Sequence, residues 1–237
     1  MSNGLPGISR VTRSKVEAQA TYDRISGWYD LLEGTWEEKS RDVGLRKLGV
    51  QEGEICLEIG FGTGHGILTL AQAVGDSGRV YGIDLSPRML DMAQARISEA
   101  ALSERVELRC GDAVQLPFEG ESFDAIFMSF TLELFDTPDI SKVLHECRRV
   151  LRRSGRICVV SLSKTGESSW MRKLYEWGHR KLPKLLDCRP IFVRKAVEDA
   201  RFQILDATQI FMCRLPVEIV LASKITPSQL PDYEEVK

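Results

Sequence analysis

The segment Ile55–Gly66 joins an apolar run to a turn with glycines at 60, 62 and 64 and then to a helix starting near Thr63. A buried strand that feeds a helix through so short a turn is the first half of a strand–helix–strand unit in a parallel sheet. Glycines here let the backbone approach a ligand where a Cβ would intrude. The helix start adds unpaired N–H groups and a partial positive charge. A nucleotide-like guest is expected. A dinucleotide fingerprint would place a third glycine where His65 stands, and no Gly-Lys-Ser/Thr follows to form a phosphate loop. From these residues alone, a structural turn and a Rossmann variant stay open.

The order of elements after this turn narrows the fold. A helix to about Val74 closes at Gly75–Gly78, and Val80–Leu85 is a strand. Ser86 caps and Pro87 opens a helix whose apolar stripe is Met89, Leu90, Ala93 and Ile97. Strands follow at Val106–Cys110 and Phe123–Ser129, then a helix from Thr137, and Gly155 leads into a strand at Arg156–Leu162. Such alternation predicts an α/β fold with a mostly parallel sheet covered by helices on both faces. The end differs, because Phe202–Met212 and Val217–Ala222 are separated by only four residues. That connection makes an antiparallel hairpin and is too short for a crossover helix. Residues 9–48 read as an N-terminal helical cap, 167–186 as a lid helix and 225–237 as a loose tail around a domain at 51–224.

Composition excludes several classes. With 237 residues, 43% of them hydrophobic, the chain can bury the core of one domain. A net charge of −2 argues against a general nucleic-acid binder. No apolar run approaches the roughly 18 residues of a membrane span, and the amino terminus lacks the apolar core of a signal peptide. The six cysteines form no C-x-x-C pair, so no metal site is expected; Cys56, Cys110 and Cys158 sit in apolar strand-like runs and read as small hydrophobes. Reduced thiols and a cytoplasmic location are the expectation.

The glycine run preceded by Glu58 resembles motif I of the class I S-adenosylmethionine (SAM) methyltransferases, and the terminal hairpin matches their Rossmann-like seven-stranded sheet. The resemblance implies that Glu58, Gly60, Phe61, Gly62 and Gly64 lie against SAM. It implies that Asp84, with Leu85, accepts bonds from the ribose hydroxyls; a helix-capping aspartate is the alternative. Met89 falls where relatives pack on the adenine or in the core. Gly111-Asp112-Ala113 resembles the segment that binds the adenine edge, and Ser129-Phe130 should lie beside the methionyl group. Tyr22–Asp30 resembles the Y-D…Y-D helix that covers SAM, which makes Tyr29 a further candidate.

Methyl transfer from a sulfonium depends on in-line alignment more than on acid or base help. Glu133 falls where many relatives carry a histidine facing the acceptor, and an acid among apolar neighbours could act as base; a solvated loop residue is the other reading. Arg149–Ser163 resembles the signature of UbiE-like quinone C-methyltransferases. Arg153-Ser154 replaces its Pro-Gly and Ser161 its acid. The acceptor implied is small and quinone-like or lipid-like. Residues 170–185 set an apolar stripe beside five basic residues, which fits peripheral contact with an anionic membrane or a lid packed on the sheet. A methyltransferase-like binding protein without turnover and a nicotinamide oxidoreductase are the competing functions. Oligomeric state is not legible.

Overall fold

Seven strands form one sheet in the order β3-β2-β1-β4-β5-β7-β6 in the computed structural model, which describes residues 34–165, 189–212 and 215–224. The strands are β1 (Ile55–Ile59), β2 (Arg79–Asp84), β3 (Val106–Cys110), β4 (Phe123–Ser129), β5 (Leu151–Leu162), β6 (Phe202–Met212) and β7 (Leu215–Lys224). Strands β1 to β5 pair in parallel, and β7 lies antiparallel between β5 and β6. The expected mixed sheet with a terminal hairpin is therefore present.

Helices cover both faces. On one side α1 (Gly34–Leu48), α2 (His65–Ala73) and α3 (Pro87–Glu99) bury Leu45, Leu48, Ile67, Leu70, Ala93 and Ile97 against Cys56, Phe127, Cys158 and Val160. On the other, α4 (Thr137–Val150) and α5 (Val193–Asp199) bury Ile140, Val143, Leu144, Val193 and Val197 against Leu57, Ile126 and Val159. The central strands are apolar on both faces, as a doubly covered parallel sheet requires. The Ser86 hydroxyl accepts from Met89 N at 3.2 Å, so the expected cap of α3 forms.

Four details differ from the sequence reading. Helix α2 begins at His65, because Gly62-Thr63-Gly64 is used by the turn and Gly64 is left-handed at φ 90°. Strand β5 begins at Leu151, which pairs with Phe123 before the register breaks and resumes at Ala125 with Arg156. Residues 152–155 bulge between these two pairings. Strand β7 is longer at both ends than the sequence reading placed it. Cys110 is exposed while Cys56, Cys147 and Cys158 are buried, since β3 is an edge strand. The proposed lid at 167–186, the tail and Tyr29 lie outside the described residues, as does the cap before residue 34. Among the described residues no helix is long and apolar enough to cross a membrane.

Candidate functional site

Strand β1 has β2 on one side and β4 on the other, so the chain reverses direction of winding beside it. Open α/β sheets bind ligands at the carboxyl ends of the strands flanking such a switch point. A cleft opens there, lined by Glu58, Gly60, Phe61, Gly62, Thr63, His65, Gly66, Ser129 and Phe130 from the sheet side and by Glu37 and Arg41 from α1. Six of the residues expected at the cofactor (Glu58, Gly60, Phe61, Gly62, Ser129, Phe130) thus meet in one hollow.

The glycines of the turn have separate reasons. A Cβ on Gly60, at φ +71°, would lie 2.3 Å from the Thr131 side chain. A Cβ on Gly64 would lie 2.8 Å from the Cβ of Ala93, so this glycine lets α3 pack on the turn. Gly62, at φ +52°, is different, because a Cβ there would meet nothing within 4 Å. It borders open space that a ligand can enter. Glu58 is 2% exposed, and its carboxyl oxygen would lie 2.1 Å from a Cβ on Gly66, which keeps the acid folded under the start of α2.

Asp84 supports the turn from β2. Its Oδ2 accepts from Gly62 N and its Oδ1 from Ser86 N, each at 2.9 Å. The aspartate therefore does part of the structural work that the alternative reading gave it, and each oxygen keeps acceptor capacity for a hydroxyl. Leu85 follows it at the strand end. Asp112 makes a local turn, its Oδ1 accepting from Val114 N at 3.1 Å, between half-buried Gly111 and buried Ala113. Met89 is 2% exposed on the inward face of α3, beside Ala93 and Ile97. Asp84, Leu85, Met89, Gly111, Asp112 and Ala113 surround the ends of β2 and β3 and do not line the cleft itself.

At the end of β4, Phe130 lies at φ +51°, a left-handed conformation that a bulky side chain adopts only when its surroundings enforce it. Its N–H donates to Val160 O at 2.8 Å, and the Thr131 hydroxyl donates to Ser129 O at 2.9 Å. These bonds hold the bend that presents Ser129 and Phe130 to the cleft.

Glu133 is fully buried and does not line the cleft. Its Oε1 accepts from Leu162 N at 3.1 Å, and its Oε2 has no hydrogen-bond partner among the described residues. Burial pushes its pKa up to about 7, against the pull of the amides of Glu133 and Leu162 and the charge of Arg189. Arg189, also buried, donates to Thr137 Oγ1 at 3.2 Å and to Phe135 O, pinning the loop after β4. Among the described residues no cluster of His, Cys, Asp and Glu could hold a metal.

Residues 56–155 match the family described as "Methyltransferase domain", and these limits run from the core of β1 to the bulge in β5. Over these residues the chain is similar to that family. It is 34% identical to the demethylmenaquinone methyltransferase of Lactobacillus johnsonii over 60% of this chain and 56% of that protein. It spans little more than half the length of the curated relatives it matches. Among solved structures, the [4+2]-cyclase SpnF superposes with a TM-score of 0.72 at 18% identity, covering 91% of this chain and 99% of that one. A SAM-dependent methyltransferase from Aquifex aeolicus gives 0.64 at 20% identity, covering 84% and 98%. These likenesses show the shared fold.

Among the residues lining the cleft, sequence reasoning missed Thr63, Gly66, Arg41 and Glu37. The last two stand at i and i+4 ahead of Gly44, Leu45 and Leu48, on the stripe by which α1 faces the sheet.

Proposed function

We propose that the protein transfers a methyl group from SAM to a small, lipophilic, quinone-like acceptor. The observation that carries this reading is the open space over Gly62, bordered by Glu58 and by the Ser129–Phe130 bend. SAM, when bound, supplies an electrophilic methyl on sulfur and a neutral leaving group. The protein's task is then to hold sulfur, methyl and acceptor in line. Asp84 and Leu85 are assigned to the ribose, Met89 and Gly111-Asp112-Ala113 to the adenine, and Tyr29 to the methionyl end. The acceptor assignment rests on the demethylmenaquinone methyltransferases among the relatives. The domain division is proposed as 1–50 cap, 51–224 methyltransferase domain with a lid at 167–186, and 225–237 tail; peripheral membrane contact through 170–185 belongs to the same proposal.

Glu133 is proposed as the base where the acceptor must lose a proton. Its pKa of about 7 suits proton transfer near neutrality. Because it lies behind the cleft wall, the role requires the acceptor to reach it from the side of the 132–134 turn.

A thermal-shift series with SAM, S-adenosylhomocysteine and NAD tests the cofactor. Ligand at 100 times its Kd adds about 2.7 kcal/mol to stability, so the two adenosyl compounds should raise the melting temperature and NAD should not. Incubation with methyl-labelled SAM and reduced demethylmenaquinone then tests the acceptor. Absence of label in the quinone fraction, with binding intact, rejects the quinone and keeps the cofactor.

A further inference from the structure

We propose that Arg41, on α1, is the residue that binds the carboxylate of the cofactor's amino-acid end. The inference rests on the SAM reading of the cleft and names a contact that the methyltransferase domain at 56–155 does not contain.

Helix α1 meets the sheet along Gly44, Leu45 and Leu48, all buried. The approach at Gly44 is close, since a Cβ there would lie 2.4 Å from Val160 Cγ2 and 3.0 Å from Phe127 Cε2. One turn earlier the same stripe reaches the cleft and turns from apolar to charged, with Arg41 8% exposed and Glu37 half-buried. The sheet contributes Glu58 to the same lining. One cation and two carboxylates around a small hollow complement a zwitterion, and an α-amino acid group is one. Acids suit the ammonium, and a guanidinium suits the carboxylate because its planar fork donates two parallel bonds. Arg41 already has a partner within the protein. With five N–H donors it can keep that contact and still offer a pair to a ligand. The tight seating of α1 on Gly44 fixes where that pair points.

The test pairs a truncated side chain with truncated ligands, by calorimetric titration of the full chain. The ligands are S-adenosylhomocysteine, decarboxylated SAM and 5′-methylthioadenosine, the last two lacking the carboxylate. Arg41→Gln should weaken S-adenosylhomocysteine about 10- to 100-fold, the range of one charge-assisted contact, and leave the other two within about twofold. Arg41→Lys should fall between. Wild-type protein gives a second reading that needs no variant: decarboxylated SAM should bind at least about 10-fold more weakly than SAM. Equal losses on all three ligands, no loss on S-adenosylhomocysteine, or equal wild-type affinity for SAM and decarboxylated SAM overturns the assignment alone. Wild-type protein that binds none of them overturns the cofactor reading with it.

Discussion

Gly60, Gly62 and Gly64 all hold positive φ, yet removing them should have different consequences. Gly62→Ala leaves the new methyl in open space, so the folded state loses only the roughly 1–2 kcal/mol of a left-handed non-glycine residue. The methyl would occupy the volume claimed for SAM, and S-adenosylhomocysteine affinity should fall at least about 10-fold. Gly64→Ala drives a methyl into Ala93 and should cost more, about 2–4 kcal/mol. Urea unfolding and ligand titration on the two variants check the contrast. If Gly62→Ala binds as well as wild type, no ligand crosses that glycine. Glu133 gives a pH-dependent case. Its pKa is raised in the folded state from an ordinary 4.5 to about 7, so the unfolded chain ionises first and stability is lost as pH climbs between those values. Glu133→Gln removes that loss, and the variant should gain on wild type by on the order of 2–3 kcal/mol from pH 5 to pH 8. If Glu133 is also the base, wild-type rate rises with pH through about 7 and the variant's falls by at least about 100-fold without that rise. A variant with wild-type rate and profile makes Glu133 a support for Leu162 alone.

Among the elements, α1 links packing to ligand contact. Gly44→Val should raise helix propensity slightly over glycine but force Val160 and Phe127 apart, for a net cost of about 1–3 kcal/mol. Displacing the helix also moves Arg41 and Glu37, so S-adenosylhomocysteine affinity should fall with stability. Affinity unchanged in a destabilised Gly44→Val protein separates α1 from the cleft. The same helix shows where sequence reading stops. The βα turn was legible because glycine spacing after an apolar run has few structural uses, and the hairpin because a four-residue link permits only antiparallel neighbours. Arg41 and Glu37 were not legible, since in the run Glu37-Glu38-Lys39-Ser40-Arg41-Asp42 charged side chains read as a solvated surface. Only the packing of Gly44 shows which of them turn inward. The early start of β5 was hidden for a related reason: Arg152-Arg153-Ser154-Gly155 has loop composition, while Leu151 before it is pinned by Phe123.

For the whole molecule, the cleft at the carboxyl ends of the central strands depends on a clamp at the opposite end of the sheet. Arg156 at β5 donates to both carboxyl oxygens of Glu54 at 2.8 Å, to Gly49 O at 2.8 Å and to Leu48 O at 2.5 Å. One guanidinium thereby ties the end of α1 and the approach to β1, which are neighbours in the chain, onto β5 about a hundred residues later. Burial raises the Glu54 pKa, but the Arg156 fork, the Gln51 amide and the Arg156 charge outweigh it and the net shift is downward. A depressed carboxylate stabilises the fold above its unfolded pKa and loses that contribution as pH falls through the folded value. Both side chains are about one-fifth exposed, so the pair is screened less than a surface bridge. Arg156→Met should cost about 2–3 kcal/mol at pH 7, because it leaves Glu54 and two helix-end carbonyls without their donor. Urea unfolding across pH 3 to 8 checks the origin of that cost. The gap between wild type and variant should be flat near neutrality and shrink below about pH 4.5, where Glu54 becomes protonated in the unfolded chain and then in the folded one. A gap independent of pH would mean that the loss comes from the carbonyl contacts and not from the ion pair. In either case α1 would be loosened from its C-terminal end, and the affinity that depends on Arg41 should decline although no cleft residue had changed.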